Sequence, residues 1–348
     1  MADVAAVFCK LQEILSVMKR IRSTFVLLLF VSLALLSCKR QGKGALPAGT
    51  GAPWDILVVI NKVDWEADHG RALFDVLNED IYGLPQSEPF FKISRIDEPD
   101  FKGILRPVKN IILIDIASIY TKPNFQFSKD EWATGQSLLK IVAPNDTSFA
   151  RYVRENRSVI QDYFVRAEFE RSIEYHKKKH NRSFSKEIQE KFGCYMYVPD
   201  DMNVSKKEPG FFWASNGQSG NRMDLVVYTY PYTEKETFTA DFLINKRDSV
   251  MKRYIPGGPE GSYMTTQKLI PPSFKSFTYK GVYMTELRGM WEVKGDIMGG
   301  PFVSISRLDT DQQRVITAEV FVYAPEKNKR NLLRHIEATL YSMDFNVQ

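Results

Sequence analysis

Two neighbouring β-strands are predicted by the stretches PFVSISRLD (residues 301–309) and RVITAEVFVY (residues 314–323). Both stretches are apolar over the length of a strand, and only a short polar segment separates them. Strands with such a tight connection pair in the antiparallel direction. Working outward, we expect further strands at 194–198, 211–214, 223–230, 263–270 and 282–293, and helices at 237–254 and 326–343. The C-terminal part is therefore predicted to be mostly antiparallel β-sheet.

The N-terminal part combines strands and helices. Apolar runs predict buried strands at 55–61 (DILVVIN), at 89–96 and within 106–116, and apolar spacing predicts helices at 66–77, 149–180 and 186–192. Ser128 with Glu131 has the form of a capping box, which predicts another helix through Val142. Asn145 or Asp146 is expected to cap the helix after it. The predicted class is α+β, with antiparallel or mixed sheets flanked by helices.

A short internal similarity suggests a duplication. The stretch PFFKISRID (residues 89–97) shares six of nine positions with PFVSISRLD (residues 301–309). Strand, helix, strand, strand, helix is the predicted order around each copy. We therefore consider two related α/β units joined by a long helical segment. The alternative is that amphipathic strands resemble each other by chance, and different strand orders in the two units would reject the duplication.

The N-terminal segment has the order of a secretory signal. A basic start at 18–22 (MKRIR) precedes an apolar run at 25–36, which is too short to span a bilayer. The stretch LLSC (residues 35–38) then resembles the bacterial lipobox. The resemblance implies cleavage before Cys38 and acylation of that residue, which would anchor the chain to a membrane. Residues 1–17 are unusual before a signal, so we expect the true start at Met18.

The predicted organisation has five parts: a signal peptide at 1–37, a lipidated cysteine and flexible tether at 38–53, a first α/β unit at 54–143, a helical connector at 144–193 and a second α+β unit at 194–348. The tether is rich in Gly and Pro and is therefore flexible. Its reach is only roughly 20 Å, so the folded part stays near the membrane. Lys39-Arg40-Gln41 carries no acidic residue, which favours an outer-membrane lipoprotein that faces the periplasm.

Composition excludes some classes of function. Residues 1–37 hold four of the 47 basic and two of the 42 acidic residues, so the remainder carries a net charge of about +3. This small charge is not typical of a nucleic-acid-binding protein. Cys194 is the single cysteine after Cys38, so no disulfide is expected within the mature chain. No motif predicts a metal site or a cofactor.

The chain resembles an uncharacterised family of Bacteroidota lipoproteins, which is a domain of unknown function. The residues that carry the resemblance are Gly83-Leu84-Pro85-Gln86, Glu88-Pro89, Arg106, Lys109-Asn110-Ile111, Gly289-Met290-Trp291, Met298-Gly299-Gly300-Pro301-Phe302, Val322-Tyr323-Ala324-Pro325 and Lys329-Arg330. The resemblance covers residues 53–345. It implies a lipoprotein in the cell envelope, and it supplies no activity and no catalytic residue.

Polar residues after the first strand form one candidate site. The members of this group are Asp64, Trp65, Glu66 and His69, with Arg106 as a further candidate. Strand ends are where α/β proteins bind ligands. A carboxylate with a histidine can perform acid–base catalysis. The ordinary alternative is that acids at a helix start cap the helix and interact with its dipole.

A second candidate site lies in the C-terminal part. Gly299-Gly300 precedes a strand and could form an anion-binding nest, with Arg288 and Trp291 as neighbouring ligand-binding candidates. The alternative is a turn or a β-bulge.

Other patterns have ordinary structural explanations. His176 and His180 have the spacing of metal ligands on a helix, but three lysines separate them and favour a solvated helix end. Residues 151–191 hold 11 Lys or Arg against seven acids, which could touch anionic lipid or simply face solvent. Core packing is favoured for Cys194 and for the aromatic residues at 211–213 and 228–232.

We predict a membrane-tethered envelope lipoprotein that acts as a non-catalytic binding or assembly module. Its partners would be the membrane, through the lipid, and a small ligand or an envelope protein. The alternative is a periplasmic hydrolase with its site near Asp64–His69. Clustering of Asp64, Glu66, His69 and Arg106 in one pocket would favour the enzyme. A third possibility is a structural partner of an envelope complex.

Overall fold

The computed structural model describes residues 46–345, and the proposed signal peptide and Cys38 lie outside the described residues. The first sheet is mixed and has five strands: β1 (Asp55–Val59), β2 (Lys92–Ile96), β3 (Asn110–Ile116), β4 (Asn124–Lys129) and β5 (Ser137–Ala143). Their spatial order is β2-β1-β3-β5-β4. All pairs are parallel except β4 with β5, which places the antiparallel strand at one edge.

Helices pack on one face of this sheet. They are α1 (Lys62–Glu66), α2 (Asp68–Leu77), α3 (Asp146–Glu155) and α4 (Arg157–Lys178), whereas α5 (Arg182–Phe192) packs through Ile188 and Phe192 in the core of the second sheet. Val58, Ile112 and Leu139 point to this face and pack with Leu73 of α2 and Phe164 of α4 in one buried cluster. Side chains alternate along a strand, so the next residues along the strands point to the opposite face.

The opposite face is covered by a loop instead of a helix. Val59, Ile111 and Leu138 form a smaller buried cluster there, against Phe101 and Trp132. Phe101 belongs to the segment between β2 and β3, which contains two 3-10 turns, Glu98–Asp100 and Gly103–Leu105. This segment crosses over β1. The connection from β1 to β2 therefore runs on the helix-covered face of the sheet, and the connection from β2 to β3 runs on the opposite face.

The helix expected after Ser128 is wrong. Ser128 lies in β4, and residues 137–143 form β5 at the inside of the sheet. Leu138, Leu139 and Val142 are all buried, because helices cover one face of β5 and the loop segment covers the other. A helix would have left part of this apolar run exposed. The expected cap is confirmed at Asn145, whose side chain accepts a hydrogen bond of 2.9 Å from Ser148 N.

The second sheet is antiparallel and curls into a half-barrel. Its strands are β6 (Val204–Glu208), β7 (Phe211–Ser215), β8 (Arg222–Pro231), β9 (Tyr263–Thr266), β10 (Ser273–Tyr279), β11 (Val282–Lys294), β12 (Gly299–Asp309) and β13 (Arg314–Tyr323). The order is β10-β11-β12-β13-β8-β7-β6, and β9 pairs with the end of β11. At 194–198, where a strand was expected, only Tyr195 forms a bridge, with Asp344.

Two helices cover the two faces of the half-barrel. They are α6 (Ala240–Tyr254) and α7 (Arg330–Leu340). Leu333 and Ile336 of α7 pack with Ile305 on one face, and Leu243 of α6 packs with Phe302 on the other. Burial of both faces explains why the central strands read as nearly continuous apolar runs. The predicted α+β class is confirmed.

The duplication is not found. In the first unit, residues 92–96 pair with β1 in the parallel direction at an edge of the sheet. In the second unit, residues 299–309 pair with β11 and β13 in the antiparallel direction at the centre. The two similar stretches therefore occupy different positions in different sheets. Among residues 46–345, no helix is both long and apolar enough to cross a membrane.

Candidate functional site

A cleft opens where β1 and β3 end, at the point where the chain connections diverge. Its volume is about 710 Å³. Open α/β sheets bind ligands at this position, outside the carboxyl ends of the strands where the strand order reverses. We call it the edge cleft. Its lining residues are Val59, Ile60, Asn61, Asp64, His69, Glu98, Phe101, Arg106, Leu113, Ile114, Asp115, Ile116, Trp132, Lys140 and Asp146.

His69 lies between two carboxylates at one end of the edge cleft. It belongs to the first turn of α2 and is 4% exposed. Its Nε2 is 3.8 Å from Asp64 Oδ1, and its Nδ1 is 3.8 Å from Asp146 Oδ2. The ring meets Phe149 edge-on at 6.1 Å between centroids. Both carboxylate distances exceed a direct hydrogen bond, so the His69 ring is held near the two carboxylates without being hydrogen-bonded to either of them.

Asp115 and Lys140 form an ion pair in the edge cleft. Lys140 Nζ is 2.7 Å from Asp115 Oδ2, and the Tyr120 hydroxyl donates to the same oxygen at 2.6 Å. Hydrogen bonds from Lys140 and Tyr120 lower the pKa of Asp115, and Asp115 raises the pKa of Lys140. The pair is about one-third exposed, so it fixes the local charge and adds little stability.

Arg106 and two aromatic rings form the other end of the edge cleft. Phe101 meets Trp132 edge-on at 5.5 Å, and the Arg106 guanidinium carbon is 5.8 Å from the Trp132 ring centre. Buried Gln136 connects the loop between β4 and β5 to the loop before β3, because its Nε2 donates to Arg106 O at 2.6 Å and to Val108 O at 2.7 Å. Its Oε1 accepts from Trp132 N at 3.0 Å. The backbone at this end is therefore held in place before any ligand arrives.

Three residues of the first sequence-predicted group meet in the edge cleft. Asp64, His69 and Arg106 line it. Glu66 is exposed, with its carboxylate 3.9 Å from Lys62, and Trp65 packs edge-on against Phe74 at 5.8 Å. Neither of these two residues lines the cleft. The clustering that we named as a sign of an enzyme is therefore present in part.

The second predicted group lies in the half-barrel and not in the edge cleft. Arg288 is buried and bonds the Glu337 carboxylate. Trp291 is 2% exposed. Gly299 and Gly300 lie in β12 and pair with residues of β11. A Cβ on Gly300 would stand 2.1 Å from Val322 O. The glycine at position 300 allows strand backbones to approach closely, so we do not place this group in the candidate site.

The remaining patterns are structural. His176 of α4 is buried against His335 of α7, with its Nε2 3.4 Å from His335 O, and burial lowers the pKa of His176 to about 4. Burial also raises the pKa of the Cys194 thiol to about 12. Tyr228 and Tyr230 are packed under α6. Within the described part of the chain, no group of three or more His, Cys, Asp or Glu side chains is arranged to hold a metal ion.

Seven polar or aromatic residues of the edge cleft were not among the predicted site residues: Asn61, Glu98, Phe101, Asp115, Trp132, Lys140 and Asp146. Asp115 gave a usable signal, because it is the polar residue near the end of the apolar run IILIDI. Lys140 gave none, since its segment read as a helix. Asp146 was assigned only as a possible helix cap.

The fold and the edge cleft define an α+β protein with two sheets and a ligand-sized crevice at the edge of the first. Residues 49–177 match the family model "Domain of unknown function (DUF8532)". Residues 181–342 match "Domain of unknown function (DUF4837)". The chain therefore contains two domains of unknown function, which confirms the expected resemblance in this coarser form. Neither description names an activity.

Solved structures give weaker likenesses. A crystal structure from Bacteroides thetaiotaomicron VPI-5482 is 13% identical, with 42% of this chain and 43% of that chain covered and a TM-score of 0.18. The lipid transfer and protein localization domain of human StarD13 (DLC2) is 8% identical, with 45% and 95% covered and a TM-score of 0.21. The chain thus spans less than half the length of the first structure. No curated protein matches the chain.

Proposed function

We propose that the protein is a binding module whose edge cleft takes a small zwitterion of the amino acid or short peptide class. The observation that carries the proposal is the juxtaposition in one cleft of Asp64 and Asp146 with Arg106 and Trp132. The volume of about 710 Å³ falls within the range of small-molecule sites.

Charge decides the class of ligand. Asp115 and Lys140 compensate each other through their 2.7 Å contact. Asp64, Glu98 and Asp146 then remain beside one permanent cation, Arg106. Three carboxylates attract a protonated amine, and a guanidinium binds a carboxylate with two parallel hydrogen bonds. A molecule that carries both groups satisfies both ends of the cleft.

The apolar wall decides what lies between the charged groups. Phe101, Leu113 and Trp132 line the cleft, and each is partly buried in the loop-covered cluster of the sheet. An apolar or aromatic side chain on the ligand would bury surface against them, at about 25 cal/mol per Å² of apolar area. An aromatic dipeptide therefore fits better than a short polar amino acid.

Calorimetric titration of the purified full chain with Ala-Phe tests the proposal. We expect saturable binding, and we expect N-acetyl-Ala-Phe and Ala-Phe-amide to bind about tenfold more weakly, because each loses one charge-assisted contact. Arg106→Gln should abolish the preference for the free carboxylate, and Asp64→Asn should weaken the preference for the free amine. Asp75→Asn, on the exposed part of α2, is the matched control. Equal binding of all three peptides would contradict the proposal.

A second candidate function is hydrolysis, and the position of His69 favours it. The ring has a carboxylate 3.8 Å from each of its two nitrogens, which suits a base that takes a proton from water. None of the residues that line the edge cleft is Ser, Thr or Cys, so the nucleophile would be that water. Mass spectrometry of Ala-Phe after incubation with the protein tests this. Cleavage that His69→Gln abolishes would make the protein a peptidase, and intact peptide at saturation would leave it a binding module.

We also propose that Cys38 carries the lipid anchor and that the protein faces the periplasm. The order of a basic segment, a short apolar run and LLSC supports the proposal. A membrane anchor would hold the edge cleft close to its ligand source and raise the local concentration. Metabolic labelling with an alkyne fatty acid should mark the wild-type chain and leave Cys38→Ala unmarked. Labelling of both chains would contradict the anchor at this position.

A further inference from the structure

A second concave site lies between α4 and the β10–β11 hairpin. It consists of two adjoining hollows, of about 370 and 330 Å³, which share Tyr279, Lys280 and Tyr341. The two hollows have no lining residue in common with the edge cleft. We call the hollow of about 370 Å³ the apolar hollow and the hollow of about 330 Å³ the basic hollow.

The apolar hollow is walled by aromatic rings. Val165 and Phe169 of α4 form one side, and Phe277 forms the other. Tyr341 stacks on Phe169 at 4.8 Å between centroids and lies 6.4 Å from Phe277. The Tyr341 hydroxyl donates to Glu286 Oε2 at 2.8 Å, so its polar end is already satisfied. Phe169 is nearly buried behind Tyr341, so the partly exposed rings of Tyr341 and Phe277 form the surface that can contact an apolar chain.

Charged groups stand at the rim of the apolar hollow. Its cations besides Lys280 are Arg166 and Lys275, and its acids are Asp162 and Glu170. Glu170 is 2.8 Å from Lys129 and Lys275 is 3.3 Å from Glu286, so each of these two charges is already compensated, and Arg166 and Lys280 remain against Asp162. The rim is therefore slightly basic, and it leaves the aromatic interior uncharged.

The basic hollow carries an incompletely satisfied guanidinium. Arg307 Nε is buried and has no hydrogen-bond partner in the described part of the chain. The guanidinium carbon lies 3.7 Å from the centre of the Phe345 ring, and burial lowers the pKa of Arg307. A buried donor without an acceptor is unfavourable, and an anionic oxygen would relieve it.

Two lysines add to this positive charge. Lys177 and Lys280 line the basic hollow, with Asp344 as the acidic group among its described lining residues. Lys177 already pairs with Glu174, whereas Lys280 stands at the tip of the hairpin above the Tyr279 ring, at 5.2 Å. Arg307 and Lys280 are therefore the two cations best placed to meet an acidic ligand.

We propose that the two hollows form one binding site for an anionic amphiphile, with the acidic head on Arg307 and Lys280 and the apolar chain against Tyr341 and Phe277. The adjacency of a basic hollow and an aromatic hollow, which share Tyr279, Lys280 and Tyr341, carries this inference. A fatty acid carboxylate and a single-chain lipid phosphate share this chemistry. The site is independent of the edge cleft and of the ligand proposed there.

Titration of the full chain with soluble amphiphiles tests the site. Decanoate and decyl phosphate are the probes for the two acidic heads, decanol lacks the charge, and acetate lacks the chain. We expect both acidic probes to bind, with the tighter one identifying the head, and we expect decanol and acetate to bind at least tenfold more weakly. Tight binding of decanol would show that the cations are not used, and it would overturn the proposal.

Variants locate the bound probe. Lys280→Asn removes the charge and suits the left-handed backbone at this residue, which has φ of 49°. Arg307→Gln removes the partly buried cation. Each should weaken binding of the acidic probe about tenfold. Arg182→Gln, exposed on α5, is the matched control and should change nothing.

Two results would overturn the site. One is an equal loss of decanoate binding in the Arg182→Gln control, since that would indicate only a general charge effect. The other is binding to phosphatidylglycerol vesicles with no binding to monomeric decanoate or decyl phosphate, which would assign the basic residues to a membrane surface. If Arg307→Gln does not fold, the exposed Lys280→Asn variant still decides between these outcomes.

Discussion

Replacement of Arg247 by Met should strongly destabilise the half-barrel. Arg247 and Glu319 are both fully buried, between α6 and the second sheet. Arg247 Nε lies 2.9 Å from one oxygen of Glu319, and Nη2 lies 2.7 Å from the other. The guanidinium also packs 3.8 Å from the Phe302 ring centre. Methionine fills much of the same volume but leaves the carboxylate buried without a cation.

The expected loss is about 3–5 kcal/mol in the free energy of unfolding at pH 7, which is typical when one partner of a buried ion pair is removed. Urea unfolding followed by circular dichroism measures it. Arg253→Met, on the exposed side of the same helix, should change the free energy by less than about 0.5 kcal/mol. The double variant Arg247→Met/Glu319→Leu should recover about 2 kcal/mol of the loss, because no uncompensated charge remains.

The loss in Arg247→Met should also depend on pH. Burial already raises the pKa of Glu319, and removal of Arg247 raises it further. A group whose folded-state pKa is raised gains protons on folding, so stability increases as the pH falls through that pKa. The loss should therefore shrink between pH 7 and pH 5. A loss below about 1 kcal/mol, or one that is the same at both pH values, would refute the reasoning.

Three further predictions concern particular positions. Gly300→Ala should lower the free energy of unfolding by about 2 kcal/mol or more, because the new Cβ would stand 2.1 Å from Val322 O. Asn145→Ala should lower it by about 1 kcal/mol, because the cap of α3 is lost. Burial lowers the pKa of His176 from 6.5 to about 4, so the unfolded chain binds more protons between these values. Stability should fall as the pH drops from about 6.5 to about 4, and His176→Asn should reduce that fall.

Each of these predictions has a measurement that can contradict it. Gly220→Ala is the control for Gly300, because the nearest atom to its Cβ is 3.6 Å away. Equal unfolding midpoints for the two glycine variants would contradict the steric argument. Unchanged stability of Asn145→Ala would show that the 2.9 Å cap bond contributes nothing. Parallel pH profiles of the wild type and His176→Asn would assign the acid loss to other groups.

The sequence predicts elements well where one physical reason dominates. Residues 55–61 and 314–323 are apolar runs of strand length, and both are strands. Asn145 begins a helix because its side chain replaces a missing backbone acceptor. Residues 137–143 were assigned wrongly, because an apolar run of seven residues fits a buried strand and a buried helix equally.

The edge cleft was only half predictable for a topological reason. Asp64 and His69 follow β1 directly, so the chain itself reveals that they meet at a strand end. Lys140 and Asp146 reach the same cleft because β5 lies beside β3, with β4 at the outer edge. Local pattern does not encode that order. The same limit explains why the expected duplication is not found, since similar stretches carry no information about the direction of the strands beside them.

A crystal structure of the full chain with Ala-Phe would locate the bound peptide. We expect the peptide in the edge cleft, with its amine at Asp64 or Asp146, its carboxylate at Arg106 and its phenyl ring against Trp132. Peptide bound elsewhere, or an edge cleft without peptide at a concentration that saturates binding in solution, would contradict the proposed binding site.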